Sequence, residues 1–221
     1  MRVVKSEIIE QKVYEAINKA VCILPDDVVD ALNKAKYFEE GIAKLTLENL
    51  LKNIDLAQQK MRPICQDTGA AVFFVQIGED VFVEGSLKGA INRAVSRAYT
   101  DFYLRKSMVK SPIERENTGD NTPAIIHFDM VPGDKITIHF MPKGFGSENK
   151  SAICMLTPAD GVEGIEKFVV ETVKKAGSDP CPPNFGGGGH WGDIRTCSSF
   201  VEKSASEKSR AEAPQKVLSR A

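Results

Sequence analysis

Cys65 is approached through Arg62, Pro63 and Ile64 and followed at once by Gln66, Asp67, Thr68 and Gly69. A thiol, an amide, a carboxylate and a hydroxyl in consecutive positions do not build a core. They suit a loop that presents a metal ligand together with groups that hold a molecule beside the metal. Two later stretches carry matching chemistry. Residues 142–151 leave a strand pattern, include Gly144 and Gly146, and lead into the apolar run 152–156. A glycine-rich strand-to-helix turn exposes backbone N–H groups where a helix dipole favours negative charge, which suits a carboxylate or phosphate. The Gly-Lys-Ser/Thr of a P-loop is missing here. Residues 179–184 then hold Cys181 between Pro180 and Pro182–Pro183, on the stiff, donor-poor backbone that recurs around iron–sulfur ligands.

Other reactive residue types read as structural. The five cysteines, at 22, 65, 154, 181 and 197, are odd in number and widely spaced, so a disulfide framework is a poor explanation. Cys22 closes a helical apolar pattern and Cys154 lies between Ile153 and Met155, so both are expected in the core. His127 and His139 fall within strand patterns and are expected to be structural, while Arg93, Arg97 and Arg105 read as charges on one helix. Residues 116–123, dense in turn formers, are either a long turn or a polar loop at the mouth of a site.

The elements that must position these residues follow from periodicity. Helical spacing predicts helices over 8–23, from Pro25–Asp26–Asp27 onward, and over 42–60, so the first 60 residues read as all-helical. Residues 70–78 read as a buried strand and 81–83 as another. Ser86 caps a helix predicted to run from 87 to about 106. Strands at 124–130 and 135–141, joined by Val131-Pro132-Gly133-Asp134, read as a hairpin. A helix over 164–176 turns Ile165, Phe168, Val169, Thr172 and Val173 inward and stops at Gly177.

The totals bound the function. With 221 residues, 29 basic against 30 acidic side chains and 42% apolar content, the chain can build a real core and has no electrostatic footprint for nucleic acid or an anionic membrane. No run is long enough to span a membrane and no signal-peptide core stands at the N-terminus, so a cytoplasmic protein is expected.

Four motifs in order carry a family resemblance: Cys-Gln-Asp-Thr-Gly at 65–69, Glu-Asn-Thr-Gly-Asp-Asn-Thr-Pro at 116–123, Lys-Gly-Phe-Gly-Ser-Glu-Asn-Lys at 143–150 and Cys-Pro-Pro-Asn at 181–184. Together they resemble the iron–sulfur hydro-lyases, the class I fumarate hydratases and L-tartrate dehydratases, in their α subunit or N-terminal domain. The resemblance spans about residues 5–184. It implies a [4Fe–4S] cluster held by three cysteines, one iron being left to bind the substrate's carboxylate and hydroxyl as a Lewis acid. It assigns Cys65 and Cys181 as two of those ligands, Gln66 and Asp67 as substrate-touching residues (Asp67 in the catalytic role) and Arg105 as the partner of a substrate carboxylate. Gly146, Asn149 and Lys150 match the loop around the bound dicarboxylate. The proton-abstracting hydroxyl and further arginines belong to the family's β subunit, so a partner subunit in a homo- or hetero-oligomer is implied and the chain alone is expected to be inactive.

After Asn184 the chain departs from the family's apolar, glycine-rich strand. Residues 185–221 are expected to be a non-family tail, poor in apolar periodicity. Cys197 matches no ligand position there, and Gly186–Gly189 with His190 follow no strand pattern. Codons for residues 190–195 can be chosen so that a one-base shift reads Ile-Gly-Gly-Thr-Phe, the family's own continuation, and residues 199–208 likewise shift to an amphipathic helix.

The sequence therefore points to an α+β domain over 1–184, with a helical part over 1–60 and an α/β part over 61–184 containing a mixed or antiparallel sheet. The expected function is the α subunit of a hydro-lyase on a C4 dicarboxylate, fumarate/malate first and L-tartrate next. The alternatives are a truncated, non-catalytic assembly module, or a zinc domain using Cys65, Cys181 and a histidine such as His190. Sequencing the gene is expected to reveal a one-base change near the codon for Phe185 that restores a family-like continuation; if no such change restores it, the frameshift is wrong.

Overall fold

The chain opens with a short strand, β1 (Arg2–Lys5), where an all-helical start was expected. The following helix, α1 (Ser6–Cys22), buries Ile9, Val13, Ile17 and Val21, a stripe at i, i+4, i+8 and i+12. Helices α2 (Asp26–Phe38) and α3 (Gly41–Lys60) come next, with Leu32 the buried residue of α2 and Ile54 and Ala57 those of α3. Met61 takes a left-handed φ of 47°, and Arg62 N–H donates to Ala57 C=O at 3.0 Å. The helix stops there and turns into the Cys65 loop.

The computed structural model describes residues 1–177, 179 and 180. It parts into two compact units, Met1–Lys143 and Gly144–Ala221. The first unit centres on strand β2 (Ala70–Gly78), whose residues 70–75 are all buried. Burial on both faces explains why its sequence is continuously apolar rather than alternating. Strand β3 (Val81–Glu84) leaves the β2 line and pairs in parallel with β1. Helix α4 (Leu87–Asp101) then lays Ile91, Ala94, Val95 and Ala98 against α1. Ser86 caps it as expected, its Oγ accepting from Gly89 N–H at 3.0 Å. The helix ends at Asp101 instead of reaching 106. Tyr103 adopts φ 56°, which a helix cannot continue through, so Arg105 lies in a loop and not on the helix with Arg93 and Arg97.

Strands β4 (Ile125–Val131) and β5 (Ile136–Lys143) do not form the expected hairpin. The sheet order is β4-β2-β5, with β4 parallel and β5 antiparallel to the central strand. The connection instead bridges over the end of β2. Gly78 N–H donates to Lys135 C=O (2.8 Å), Glu79 N–H to Val131 C=O (2.9 Å) and Asp80 N–H to Gly133 C=O (2.9 Å). A turn sequence reports a reversal of direction, not which strand lies between the two arms. The fold is α+β with a mixed sheet.

His127 and His139 both sit opposite Phe74, on β4 and β5, and the His127 ring stacks on it at 5.1 Å. Arg93 and Arg97 join helix to helix: Arg93 Nε lies 2.7 Å from Glu10, and Arg97 stands 3.9 Å above the Tyr14 ring. Cys22 is buried as expected.

The second unit departs from expectation. The helix anticipated after the 142–151 turn is one short turn, α5 (Phe145–Glu148), and residues 151–157 form no element. A 3-10 turn, Pro158–Asp160, leads into α6 (Gly161–Ala176). The apolar stripe of α6 is present, but Ile165, Val169 and Val173 are exposed. Cys154, expected in the core, is exposed as well. Among its described residues this unit contains no strand, so it offers these groups no sheet to pack against.

Gly78 is where the strand end meets the bridging turn most closely. A Cβ there would lie 2.3 Å from Gly133 O, a backbone atom. Gly78→Ala is expected to destabilise the first unit by about 1–3 kcal/mol, read as a lower midpoint in thermal unfolding followed by circular dichroism.

Candidate active site

The Cys65 loop is pinned before it reaches the cysteine. Ile64 N–H donates to Val21 C=O at the end of α1 (3.0 Å), and Asn53 Nδ2 of α3 donates to Ile64 C=O (2.8 Å). Cys65 is exposed. Its Sγ accepts the Asp67 N–H at 3.4 Å and lies 3.5 Å from Gln66 Oε1. A backbone N–H aimed at a sulfur is a contact that cluster-bound sulfurs also accept. Asp67 turns one oxygen back to accept Gly69 N–H at 3.1 Å, an Asx turn that lets Gly69 take φ 61°.

Beneath the loop the polar groups are buried and satisfied. Tyr99 of α4 is fully buried, and its hydroxyl lies 3.2 Å from both the Thr68 and Gly69 carbonyls. Burial, with the Asp67 carboxylate adding to it, pushes the Tyr99 hydroxyl far up despite Asn121, so it stays protonated and remains a donor. Asn121, also fully buried, donates from Nδ2 to Gly69 C=O at 3.1 Å. Its Oδ1 accepts the N–H groups of Ser107 (2.7 Å) and Met108 (3.1 Å). Beside it, Asp120 would be raised by burial, but hydrogen bonds from the Thr122 N–H and hydroxyl, Ser96 and Thr118 hold it below the ordinary carboxylate value. The stability this contributes is present above the ordinary carboxylate pKa and lost as pH falls through the depressed one.

Arg105 is brought to the loop by its backbone. Arg105 N–H donates to Thr68 Oγ1 (3.0 Å), which donates in turn to Arg105 C=O (3.3 Å). Among the described residues the Arg105 guanidinium takes part in no hydrogen bond or ion pair. So Cys65, Gln66, Asp67 and Arg105 share one exposed corner of the first unit. The arrangement offers a soft sulfur ligand with polar groups and a free cation nearby.

The remaining expected residues belong to the second unit or lie outside the described residues. Gly146 lies on α5 and Asn149 and Lys150 follow it, all in the second unit. A Cβ at Gly146 would meet nothing within 4 Å, and Lys150 pairs with Asp179. Cys181, Cys197, His190 and the tail from Phe185 lie outside the described residues. Among the described residues no three His, Cys, Asp or Glu side chains converge to hold a metal, so a complete ligand set is not found within them. Cys65 itself fits a cluster ligand by its exposure and the N–H directed at its sulfur. A hollow of about 500 Å³ between α1 and β5 touches none of this corner.

Sequence reasoning missed Tyr99 and the supporting roles of Thr68 and Asn121. Tyr99 stands four residues after Val95 and eight after Ile91, on the buried stripe of α4, which was the available signal. Asn121→Ala removes a donor and an acceptor serving one buried and two half-buried backbone groups. It is expected to cost about 2–4 kcal/mol, measured by urea unfolding.

A model of the fumarate hydratase (Fumerase) family matches residues 10–220. A protein of Methanocaldococcus jannaschii, provisionally named as L(+)-tartrate dehydratase subunit alpha, is 38% identical over 208 residues, covering 90% of this chain and 73% of its own length. The L(+)-tartrate dehydratase subunit alpha of Escherichia coli K12 is 31% identical over 185 residues, covering 81% of this chain and 61% of its own length. The chain thus spans between about three fifths and three quarters of these relatives.

Proposed function

This chain belongs to the fumarate hydratase (Fumerase) family, a family of hydro-lyases, and from that premise we propose that it is the α-type subunit of an iron–sulfur hydro-lyase acting on a C4 dicarboxylate. The relatives described are α subunits of tartrate dehydratase, which supports L-tartrate as the first candidate substrate and fumarate/malate as the second, the reverse of the order taken from the motifs. Their subunit names also support a β subunit as the partner. No helix among the described residues is long and apolar enough to cross a membrane, and we assign the protein to the cytoplasm on its sequence.

The observation that carries the reading is the corner where the exposed Cys65 thiol and the Asp67 N–H and carboxylate stand on a loop whose Thr68 binds the backbone of Arg105. Cys65 and Cys181 would hold a [4Fe–4S] cluster as two of its three cysteine ligands, with no residue of the tail from Phe185 matched to the third. When bound, the cluster supplies a Lewis-acidic iron that makes hydroxide a better leaving group. Arg105 pairs with one substrate carboxylate through a planar two-donor face. Gln66 and Asp67 touch the hydroxyl-bearing end of the substrate. Gly146, Asn149 and Lys150 take the second carboxylate, the bare Gly146 leaving room for close approach to backbone N–H groups. The proton-abstracting group comes from the β subunit, so the isolated chain is inactive.

Co-expression with the β subunit, anaerobic reconstitution and assay on L-tartrate and fumarate test this. The complex is expected to bind iron and sulfide with visible absorption and to dehydrate L-tartrate. Cys65→Ser is expected to lose bound iron and sulfide with unchanged far-ultraviolet circular dichroism. Arg105→Lys is expected to keep the cluster absorption while KM rises about tenfold or more. Full iron and sulfide content in the Cys65→Ser complex would overturn the reading, and a complex holding neither would leave a non-catalytic assembly subunit.

A further inference from the structure

The hollow between α1 and β5 lies wholly in the first unit, apart from the Cys65 corner. Its volume of about 500 Å³ is in the range of small-molecule sites. The floor is apolar and buried, made by Ile9 and Val13 of α1 and Phe73 of β2. Half-buried Ile138 and Phe140 of β5 form the facing wall. The charged side chains of the lining, Arg2, Lys12 and Lys135, are all exposed and so stand at its open side. Among the described residues no acidic side chain lines the hollow. A cleft edged by one sign of charge over low-dielectric walls concentrates ions of the opposite sign.

Two of the cations belong to one end. Arg2 Nη1 donates to Asp134 C=O at 3.3 Å, which sets the guanidinium beside the residue preceding Lys135. Among the described residues neither Arg2 nor Lys135 takes part in an ion pair. Lys12 differs, its ammonium lying 2.9 Å from Glu15. The lining runs along β5 from Lys135 to Phe140, about 17 Å of strand. Along α1 it runs from Ile8 to Ala16, about 12 Å of helix. We propose that the hollow binds a free, unbranched, medium-chain monocarboxylate, its carboxylate between Arg2 and Lys135 and its chain laid along β5 toward Phe140.

The distribution of charge along the trough selects this class over others. A C4 dicarboxylate has a charge at each end, and its second carboxylate would be set against Phe73 and Phe140 without a partner, which is costly. The hollow is therefore not a second place for the substrate of the Cys65 corner. A phosphate alone would satisfy the cations but leave the apolar floor in contact with water. An alkylammonium would fit the floor and meet like charge at the mouth. Only an anion with an apolar body of some length uses both features at once. Its guanidinium contact is a charge-assisted hydrogen bond, and its chain gains by the area it removes from water.

Isothermal titration calorimetry on the full chain with hexanoate, octanoate and decanoate, each below its micelle concentration, tests this. Decanoate is expected to bind once per chain with Kd on the order of 100 µM. Each pair of methylenes removed is expected to weaken binding about tenfold. Decylammonium, with the same chain and the opposite charge, is expected to bind at least about tenfold more weakly than decanoate. Arg2→Gln combined with Lys135→Gln is expected to erase that preference while the thermal midpoint stays unchanged. Ala16→Trp fills the hollow from an exposed position of α1 and is expected to abolish binding with unchanged far-ultraviolet circular dichroism. Absence of saturable decanoate binding, equal affinity for decylammonium, or full binding by the Ala16→Trp chain would each overturn the proposal. So would several decanoates per chain that Ala16→Trp does not reduce, since these would report exposed apolar side chains elsewhere.

Discussion

The carbonyl of Gly69 is buried beneath the loop that carries Cys65, and a buried carbonyl must find donors. Tyr99 from α4 and Asn121 from the 116–123 loop supply them. Those two side chains come from 30 and 52 residues away, so the loop takes its shape only when helix, loop and strand are already assembled. Asn121 also gathers the N–H groups of Ser107 and Met108, which extends the same constraint to the segment bearing Arg105. A single satisfied polar cluster thereby fixes the backbone that carries Cys65, Asp67 and Arg105. Any one of its groups left unpaired would cost about 1–3 kcal/mol, which is why a polar cluster can act as a rigid support.

Packing around that cluster is conventional hydrophobic burial. β2 is buried on both faces, and the α1 and α4 stripes close over one of them. The charged contacts between the two helices, Arg93 and Arg97 with Glu10, lie at the partly exposed rim. Pairs in such places are worth about 0–1 kcal/mol, so they orient helices that apolar contact already holds. The arginines on α4 thus serve its docking to α1, whereas Arg105, beyond the helix end, takes no part in that docking.

α4 and α6 show how far an apolar stripe can be taken. Both carry one, and in α4 it is buried whereas in α6 Val169 and Val173 remain exposed. A stripe states which face is apolar; burial also requires an opposing surface, which the described part of the second unit does not supply to α6.

Much of this protein could be read from the chain alone, for physical reasons. Periodicity located α1, α3 and α4 and the strands β2 to β5, because helix and strand spacing is a local property. The consecutive polar functions at 65–69 marked an exposed polar loop, the candidate site, because a core does not tolerate them in series. Tertiary structure decided what locality cannot. It placed β2 between β4 and β5 where a turn sequence suggested a hairpin, and it paired β1 with β3 across some eighty residues. It ended α4 at Asp101, so that Arg105 reaches the Cys65 loop through its backbone bonds to Thr68. It turned Tyr99 and Asn121 from a helix residue and a turn residue into the support beneath the Cys65 loop. Those outcomes depend on which distant donor meets which buried acceptor, and that pairing exists only once the chain has folded.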